Sequence, residues 1–159
     1  MTTIQKTNNE SIVLAIMELA AQMLKKGSSL TNIIGLTTQQ WMVLLYVQGD
    51  TNIPYAEERI QEGGILASDI AEALNVSRPN ITNLLQILAD KGLITQDKDP
   101  KDKRRKVLVL TRKGRDAIAK VAPLRENANR RLLYDFSEEE KEDLLSKLMH
   151  CLDRLHGRA

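Results

Sequence analysis

The chain has 159 residues, of which 42% are hydrophobic and 28% are charged, and its formal net charge is +2. These values are ordinary for a globular protein and exclude wholesale disorder, and the length suits one domain with appended helices. The single cysteine, Cys151, excludes an internal disulfide and fits a reducing compartment. No apolar run approaches the roughly 18 residues of a membrane helix, and the N-terminus lacks the basic-then-apolar order of a signal peptide. We therefore expect a soluble, cytoplasmic protein.

The charge is unevenly distributed along the chain. Residues 98–115 carry 9 basic and 2 acidic side chains, whereas residues 1–74 carry 4 basic and 8 acidic ones. Such a concentration of positive charge favours contact with a polyanion, although a solvated lysine-rich loop has the same composition. The elements on either side of the basic segment decide between these two interpretations.

Apolar residues at helical spacing predict two helices in the first third of the chain. The first spans residues 10–26 and should end at Gly27, and the second spans residues 38–48. The following connection, residues 49–64, is rich in glycine, proline and asparagine and predicts a loop. Within it, residues 55–61 have the composition of a short helical turn.

Residues 67–86 predict a helix–turn–helix, in which a helix at 68–74 precedes a helix at 78–91. The turn between them contains Asn75, which tolerates a left-handed backbone, and Ser77, which is a suitable N-cap. The polar face of the second helix carries amide, hydroxyl and guanidinium groups that match base edges and phosphates. The predicted DNA contacts on this helix are Ser77, Arg78, Asn80, Thr82, Asn83 and Gln86. The alternative is an ordinary solvated helix face, because such residues occur on many soluble helices.

A charged hairpin follows the second helix. Residues 93–97 and 106–111 alternate like β-strands, and the basic residues lie at the tip between them. Cations at the tip of such a wing neutralise phosphates and release condensed counterions. The predicted wing contacts are Lys101, Lys103, Arg104 and Arg105. A helix–turn–helix followed by a cationic wing is a winged helix, so the two features together predict DNA binding.

The C-terminal residues predict two more helices. One runs from Thr111 towards Tyr134 and should kink or break at Pro123, and the last opens with a capping box of Ser137 and Glu140. Apolar stripes on the first and last helices need a covering surface. Because the winged helix separates them in sequence, we expect the interface of a homodimer rather than burial within one chain. The predicted dimer contacts are Ile12, Ile16, Leu19, Met23, Leu148, Leu152 and Leu155.

Three segments resemble the MarR family of bacterial transcription regulators: LTTQQWMVLLYV at 36–47, LASDIAEALNVSRPNITNLLQILADKGLI at 66–94 and DPKDKRRKVLVLTRKG at 99–114. The resemblance implies a mainly α-helical fold with a small β-hairpin wing. It implies a homodimer that binds a pseudo-palindromic operator and that is commonly released by a small phenolic or amphipathic ligand, or by thiol oxidation in some members. Repression is the family habit, although the same architecture also activates.

The resemblance also assigns roles to single residues. Arg104 would enter the minor groove, Asp102 would orient the basic side chains around it, and Thr111 and Gly114 match the LTxxG motif that opens the next helix. The implied domains are an N-terminal dimerisation helix with its connection at 1–35, the winged-helix lobe at 36–115 and C-terminal dimerisation helices at 116–159. The 49–64 connection is longer than the family pattern. An ordinary loop is the favoured interpretation, and contact with DNA, partner or ligand stays open.

Other chemistry is weakly indicated. The sequence has no Gly-rich phosphate loop, metal-ligand spacing or local nucleophile–base pair, so we expect neither an enzyme nor a cofactor. Cys151 is expected to be a buried structural thiol rather than a redox switch, and His150 and His156 are too few for a metal site.

Two questions stay open at the level of sequence. Trp41, Met42 and Tyr46 would either border the family's ligand cleft or belong to the core. A winged helix that binds only proteins is the alternative to a sequence-specific DNA-binding regulator.

Overall fold

The computed structural model describes residues 5–60 and 63–158. The first four residues, two residues of the 49–64 connection and the last residue of the predicted C-terminal domain lie outside these ranges. The described chain is mainly helical with a three-stranded antiparallel sheet. Its elements are α1 (Asn8–Thr31), a 3-10 turn (Asn32–Ile34), α2 (Thr38–Gln48), α3 (Ala56–Arg59), β1 (Ile65–Leu66), α4 (Ala67–Leu74), α5 (Arg78–Asp90), β2 (Ile94–Lys98), β3 (Lys106–Leu110), α6 (Arg112–Leu132) and α7 (Glu138–Leu155).

Helix α1 continues beyond the end predicted from the sequence. We expected Gly27 to end it, but the helix runs to Thr31, so this prediction was wrong. The glycine serves close packing instead, because an ideal Cβ at Gly27 would lie 2.8 Å from the Thr38 hydroxyl oxygen of α2. At the true end, the Thr31 hydroxyl donates to the Leu36 carbonyl oxygen at 2.8 Å.

The helix–turn–helix is confirmed at α4 and α5. Asn75 has φ 51° and its backbone N–H bonds to the Ala71 carbonyl oxygen, which closes α4. Ser77 accepts the Asn80 backbone N–H and caps α5. Both helices bury their apolar residues in one core with α2 and the sheet. This core includes Val43, Leu44, Ile65, Ile70, Ile81, Leu84, Leu88, Leu108 and Ile118.

The wing is larger than the predicted hairpin. Strands β2 and β3 pair from Ile94 opposite Leu110 to Lys98 opposite Lys106, close to the expected bounds. A third strand, β1, pairs with β3 on its other side, giving the order β1-β3-β2. The sequence does not indicate β1, because two residues are too short to show an alternating pattern. This strand attaches the hairpin to the start of α4.

Helix α6 is continuous, so the break expected at Pro123 is absent. A proline removes one N–H from the helical ladder, which leaves the carbonyl oxygen four residues earlier without its partner. Both Pro123 and Ala119 are exposed, so water can bond that carbonyl oxygen. The expected caps are present: Thr111 accepts the Gly114 N–H, and the Ser137–Glu140 capping box opens α7.

The apolar faces of α1 and α7 are exposed in the single chain. Ile12 is 57% exposed, Leu19 49%, Met23 48% and Leu148 38%. Helix α1 packs on α2 and α6, and within the described ranges its apolar face is not covered by α7. In the part of the chain that the structure describes, no helix is long and apolar enough to cross a membrane.

Candidate nucleic-acid interface

The N-terminal half of α5 presents polar side chains to solvent. Its backbone is fixed by the Ser77 cap and by burial of Ile81 on the opposite face, so the polar residues are held on the outside. All of the sequence-predicted contacts on this helix are exposed: Ser77, Arg78, Asn80, Thr82, Asn83 and Gln86. The structure therefore brings the predicted contacts onto one accessible surface.

Three of these side chains are already engaged, the first being Ser77, whose hydroxyl oxygen accepts the Asn80 backbone N–H. The Thr82 hydroxyl donates to the Arg78 carbonyl oxygen at 2.9 Å, and the Gln86 amide nitrogen donates to Asp90 Oδ1 at 2.7 Å. The side chains of Arg78, Asn80 and Asn83 make no hydrogen bond within the described chain. These three are the most available donors and acceptors for a base edge or a phosphate.

The tip of the wing is a turn that is held by backbone and side-chain hydrogen bonds. The Asp99 N–H donates to the Arg105 carbonyl oxygen at 3.1 Å, and the Arg105 N–H donates to the Asp102 carbonyl oxygen at 2.9 Å. The carboxylate of Asp99, a residue only 5% exposed, accepts the Lys101 N–H at 2.9 Å. We did not single out Asp99 from the sequence, although an Asp-Pro pair is a signal for a turn.

Arg104 projects from this turn beside Asp102. The Asp102 carboxylate accepts the Arg104 backbone N–H at 3.0 Å and its side-chain Nε at 3.2 Å, while 90% of the Arg104 side chain stays exposed. The backbone hydrogen bond from Arg104, with the side-chain bond, lowers the pKa of Asp102 below its ordinary value. Asp102 is therefore ionised at neutral pH and orients a guanidinium that remains free to contact a phosphate or a groove.

A groove of about 450 Å³ separates α5 from the wing. Its walls are the start of α4, the middle of α5 and the part of the wing between the middle of β2 and the tip, with Ser68, Thr82, Gln86, Gln96, Arg105 and Lys106 among its lining residues. Ser68 and Gln96 were missed in the sequence, because their positions beside α5 depend on the packing of α4 and β2 against that helix. The groove joins the two predicted DNA-contacting elements into one surface.

A second cavity, of about 500 Å³, lies between α1, α2 and α6. Trp41 and Met42 line it, whereas Tyr46 is buried in the core, so two of the three aromatic or methionine candidates border a cleft. The Trp41 indole N–H is buried and has no hydrogen-bond partner in the described chain. Arg125 also lines the cavity, and its guanidinium lies 5.3 Å from the centre of the Trp41 ring.

Arg125 is anchored outside the cavity by an ion pair with Asp50, at 3.2 Å between Nη2 and Oδ2. Burial of Asp50 opposes its ionisation, but hydrogen bonds from Asn52 and Arg125 outweigh that effect and lower its pKa. The pair fixes the guanidinium at the rim of the cavity.

The terminal cysteine and histidines do not form a site. Cys151 is exposed in the single chain, so its own protomer does not bury the thiol, and burial of Cys151 in a dimer stays a prediction. Among the described residues, no group of three or more His, Cys, Asp or Glu side chains is arranged to hold a metal ion.

The architecture and the surface at α5 and the wing are those of a winged helix–turn–helix DNA-binding protein. Residues 34–105 match the sequence profile of the MarR family. The chain is 30% identical over 132 residues to the transcriptional activatory protein BadR of Rhodopseudomonas palustris, covering 82% of this chain and 70% of that protein. It is 34% identical over 93 residues to a putative transcriptional regulatory protein for the hcr operon of Thauera aromatica, covering 58% of this chain and 54% of that protein.

Solved structures agree with this class. The Staphylococcus aureus MepR–DNA complex superposes with a TM-score of 0.73 at 26% identity, covering 94% of this chain and 99% of that one. BldR from Sulfolobus solfataricus shares the fold with a TM-score of 0.76 at 22% identity, covering 95% of this chain and 99% of that one. The chain belongs to the MarR family and is a DNA-binding transcriptional regulator, not an enzyme.

Proposed function

We propose that the protein is a homodimeric regulator that binds a pseudo-palindromic operator and represses transcription until a small amphipathic ligand releases it. The observation that carries the DNA-binding part is the exposed pairing of Arg104 with Asp102 next to the free polar face of α5. Helix α5 would enter the major groove, and the wing would contact the adjacent backbone or minor groove. With DNA as the partner, we propose the cytoplasm as its location.

The exposed apolar faces of α1 and α7 support the dimer. Full burial of an exposed Leu, Ile or Met side chain contributes about 1.5–3 kcal/mol. The predicted interface residues on α1 and α7 are already partly covered, so each would supply a part of that amount. A two-fold axis relating two copies places two α5 helices about one turn of DNA apart. This spacing is what a palindromic operator requires.

The cavity beside Trp41 supports release by a ligand. Its walls are mostly apolar, the Arg125 guanidinium lies at one side, and Trp41, whose buried indole N–H has no hydrogen-bond partner in the described chain, forms part of the lining. A small aromatic molecule that carries a hydrogen-bond acceptor or an acidic group fits this chemistry. Because the cavity lies between α1, α2 and α6, an occupant would separate the proposed dimer helices from the winged-helix lobe.

Activation is a second candidate, because one relative is described as an activatory protein. A promoter–reporter assay with and without the regulator distinguishes the two signs of control: repression predicts a reporter level that rises when the regulator is removed, and activation predicts a level that falls.

Selection of bound fragments from random duplex DNA at two salt concentrations tests the DNA-binding proposal. We expect a palindromic consensus and an affinity that falls steeply with salt, because each neutralised phosphate releases counterions. Absence of any consensus, with weak binding at both salt concentrations, would instead support a winged helix that binds only proteins.

A further inference from the structure

Residues 50–60 of the long connection after α2 fold against the C-terminal end of α7. The Tyr55 hydroxyl donates to Asp153 Oδ1 at 2.7 Å, and Arg158 Nη1 donates to the Glu58 carboxylate at 2.7 Å. The Arg158 guanidinium lies 4.1 Å from the centre of the Tyr55 ring, within the range of a cation–π interaction. We call these four residues the Tyr55 clamp.

The Tyr55 clamp is the polar attachment of α7 to its own protomer. Within the described residues, and apart from the Ser137 cap, no other side-chain hydrogen bond or ion pair joins residues 138–158 to the rest of the chain. The apolar face of α7 does not attach the helix to its own protomer, since Leu145 on that face is 61% exposed. The orientation of α7 against its own protomer therefore depends strongly on the clamp.

The backbone at Tyr55 indicates that the ring is held in place. Its φ of 58° lies in the left-handed region, which is unfavourable for a bulky side chain and persists only where surrounding contacts enforce it. Arg59 lies 5.4 Å from the ring centre, and the His156 ring meets it edge-on at 5.4 Å. The hydrogen bond to Asp153 raises the pKa of Tyr55. Three side chains thus lie against the ring, and a fourth, Asp153, binds its hydroxyl.

The connection that carries Tyr55 belongs to the winged-helix lobe. It leaves the end of α2, is pinned to α6 by the Asp50–Arg125 ion pair and leads into β1 and α4. Helix α7 lies in the proposed dimer interface. The clamp therefore joins the winged-helix lobe, which is proposed to bind DNA, to α7, which is proposed to form part of the dimer interface.

We infer that Tyr55 and Arg158 are positioning residues for operator recognition, which fix the angle between lobe and dimer and so select the spacing of the two half-sites. The inference rests on the proposed dimeric regulator. A lobe that swings freely on its dimer helices would reach half-sites at several separations, whereas a clamped lobe reaches one separation best.

Binding to a spacing series tests this inference. The duplexes carry the half-site pair selected by the parent protein, moved apart or together one base pair at a time, and the proteins are the full chain with Tyr55→Phe, Tyr55→Ala or Arg158→Ala. We expect the parent to prefer one spacing. Tyr55→Ala should lose about 3–10-fold in affinity at that spacing and less at its neighbours, so the preference flattens.

A charge swap separates positioning from general damage. Glu58→Arg combined with Arg158→Glu should recover part of the spacing preference that each single change weakens, because the ion pair re-forms in reverse whereas the cation–π contact of Arg158 with Tyr55 is not restored. Arg130→Ala is the matched control, since it removes the same charge from an exposed ion pair on α6 away from the clamp. This control should keep the parental profile, and affinity for a single half-site should be unchanged in every variant.

The possible results are distinguishable. A parental spacing profile in folded Tyr55→Ala and Arg158→Ala overturns the inference while leaving the dimeric regulator intact. If Tyr55→Ala does not fold, the spacing profiles of Tyr55→Phe and of the charge swap decide whether the inference holds, because both variants keep an aromatic ring at position 55. A parent that is monomeric by sedimentation, or that selects no half-site pair, overturns the proposed function and the inference with it.

Discussion

The carbonyl oxygen of Leu93 lies where a side chain at Gly114 would have to be. An ideal Cβ on Gly114 would approach that oxygen to 2.2 Å, and Leu110 Cδ2 to 3.0 Å. Since Gly114 lies in the first turn of α6 and Leu93 immediately precedes β2, the absence of a side chain allows the helix to pack directly against the base of the wing.

The first prediction concerns this contact. Helix propensity alone predicts that Gly114→Ala stabilises the protein by about 1 kcal/mol. We expect the opposite, a loss of roughly 2–4 kcal/mol in the free energy of unfolding, because a backbone carbonyl cannot move aside as a side chain can. Denaturant unfolding measures the difference.

Gly92→Ala is the matched control for Gly114→Ala. Gly92 has φ +70°, but an added Cβ would meet nothing nearer than Lys113 Cδ at 4.0 Å. The free energy of unfolding of Gly92→Ala should fall only by the cost of placing alanine in the left-handed region, about 1–2 kcal/mol. Equal or greater stability of Gly114→Ala than of the parent would contradict the steric account.

The second prediction concerns the wing. Arg104→Ala should weaken operator binding by about 1–3 kcal/mol and reduce the slope of log affinity against log salt by about 1. Arg130→Ala, which removes an equal charge far from the wing, should change neither quantity. Binding titrations at several salt concentrations measure both, and equal affinity of Arg104→Ala and parent would show that the wing does not contact the duplex.

The third prediction concerns base preference at α5. Asn80→Ala and Arg78→Ala should relax the preference at a symmetric pair of operator positions, with a cost of about 1–3 kcal/mol on the preferred sequence. Gln86→Ala should have a smaller effect, because its amide nitrogen is engaged by Asp90. Repeating the selection from random duplexes measures this, and an unaltered consensus from Asn80→Ala and Arg78→Ala would contradict the assignment of the recognition surface.

The fourth prediction concerns pH and the Asp50–Arg125 pair. The pKa of Asp50 is below its ordinary value of 3.8 in the folded protein. Because the carboxylate has a lower pKa in the folded protein than in the unfolded chain, its ionised form stabilises the fold at pH values above 3.8. This stabilisation is lost as the pH falls below 3.8 and through the pKa of the folded protein. Asp50→Asn should therefore be less stable than the parent by about 1–2 kcal/mol at neutral pH.

The stability difference between parent and Asp50→Asn should shrink as the solution is acidified below about pH 5. The amide keeps an oxygen for the Asn52 N–H, so the variant removes the charge and retains that hydrogen bond. Unfolding curves measured across the acid range provide the test. A difference that stays constant down to pH 3 would mean that the carboxylate charge at Asp50 contributes nothing to stability.

The fifth prediction concerns the cavity beside α1. Trp41 is the single tryptophan of the chain, so its fluorescence reports on this cavity without interference. Titration with a substituted phenol or benzoate should change its emission and lower operator affinity. Trp41→Phe should lose about 3–10-fold in affinity for such a ligand by calorimetry, because it removes the indole donor and keeps an aromatic wall.

An apolar aromatic of similar size without an acceptor group is the control ligand for Trp41→Phe. This control ligand should bind the parent and the variant equally, since it has no acceptor for the indole N–H. If the phenol or benzoate leaves Trp41 emission unaltered in the parent, the cavity is not the ligand site.

The sequence predicts the local elements well and their tertiary relations poorly. Asn75, Ser77 and Ser137 lie where their backbone and capping preferences place them, because those preferences act within a few residues. The run of basic residues identifies the wing tip for the same reason. The predicted end of α1 at Gly27 was wrong because that glycine packs closely against Thr38 on another helix. Rules based on neighbours in sequence do not include such a tertiary contact.

The candidate site shows the same division. The exposed positions on α5 follow from helical periodicity, but Ser68 and Gln96 line the groove because α4 and β2 pack against α5. The Tyr55 clamp joins residues 98 and 100 positions apart. A single sequence carries no signal for a contact of that range, which depends on the packing of the whole chain.

Strand β1 consists of two residues, and α4 begins at the next one. Because β1 is hydrogen-bonded to β3, a force that displaces the wing is transmitted through the backbone to α4 without an intervening hinge. Helix α5 packs against both α4 and β2. The two elements proposed to contact DNA, α5 and the wing, would therefore approach a duplex as one rigid body. Adaptation to a curved or unevenly twisted duplex would then depend on bending of the nucleic acid and on the connection between the two protomers of the proposed dimer.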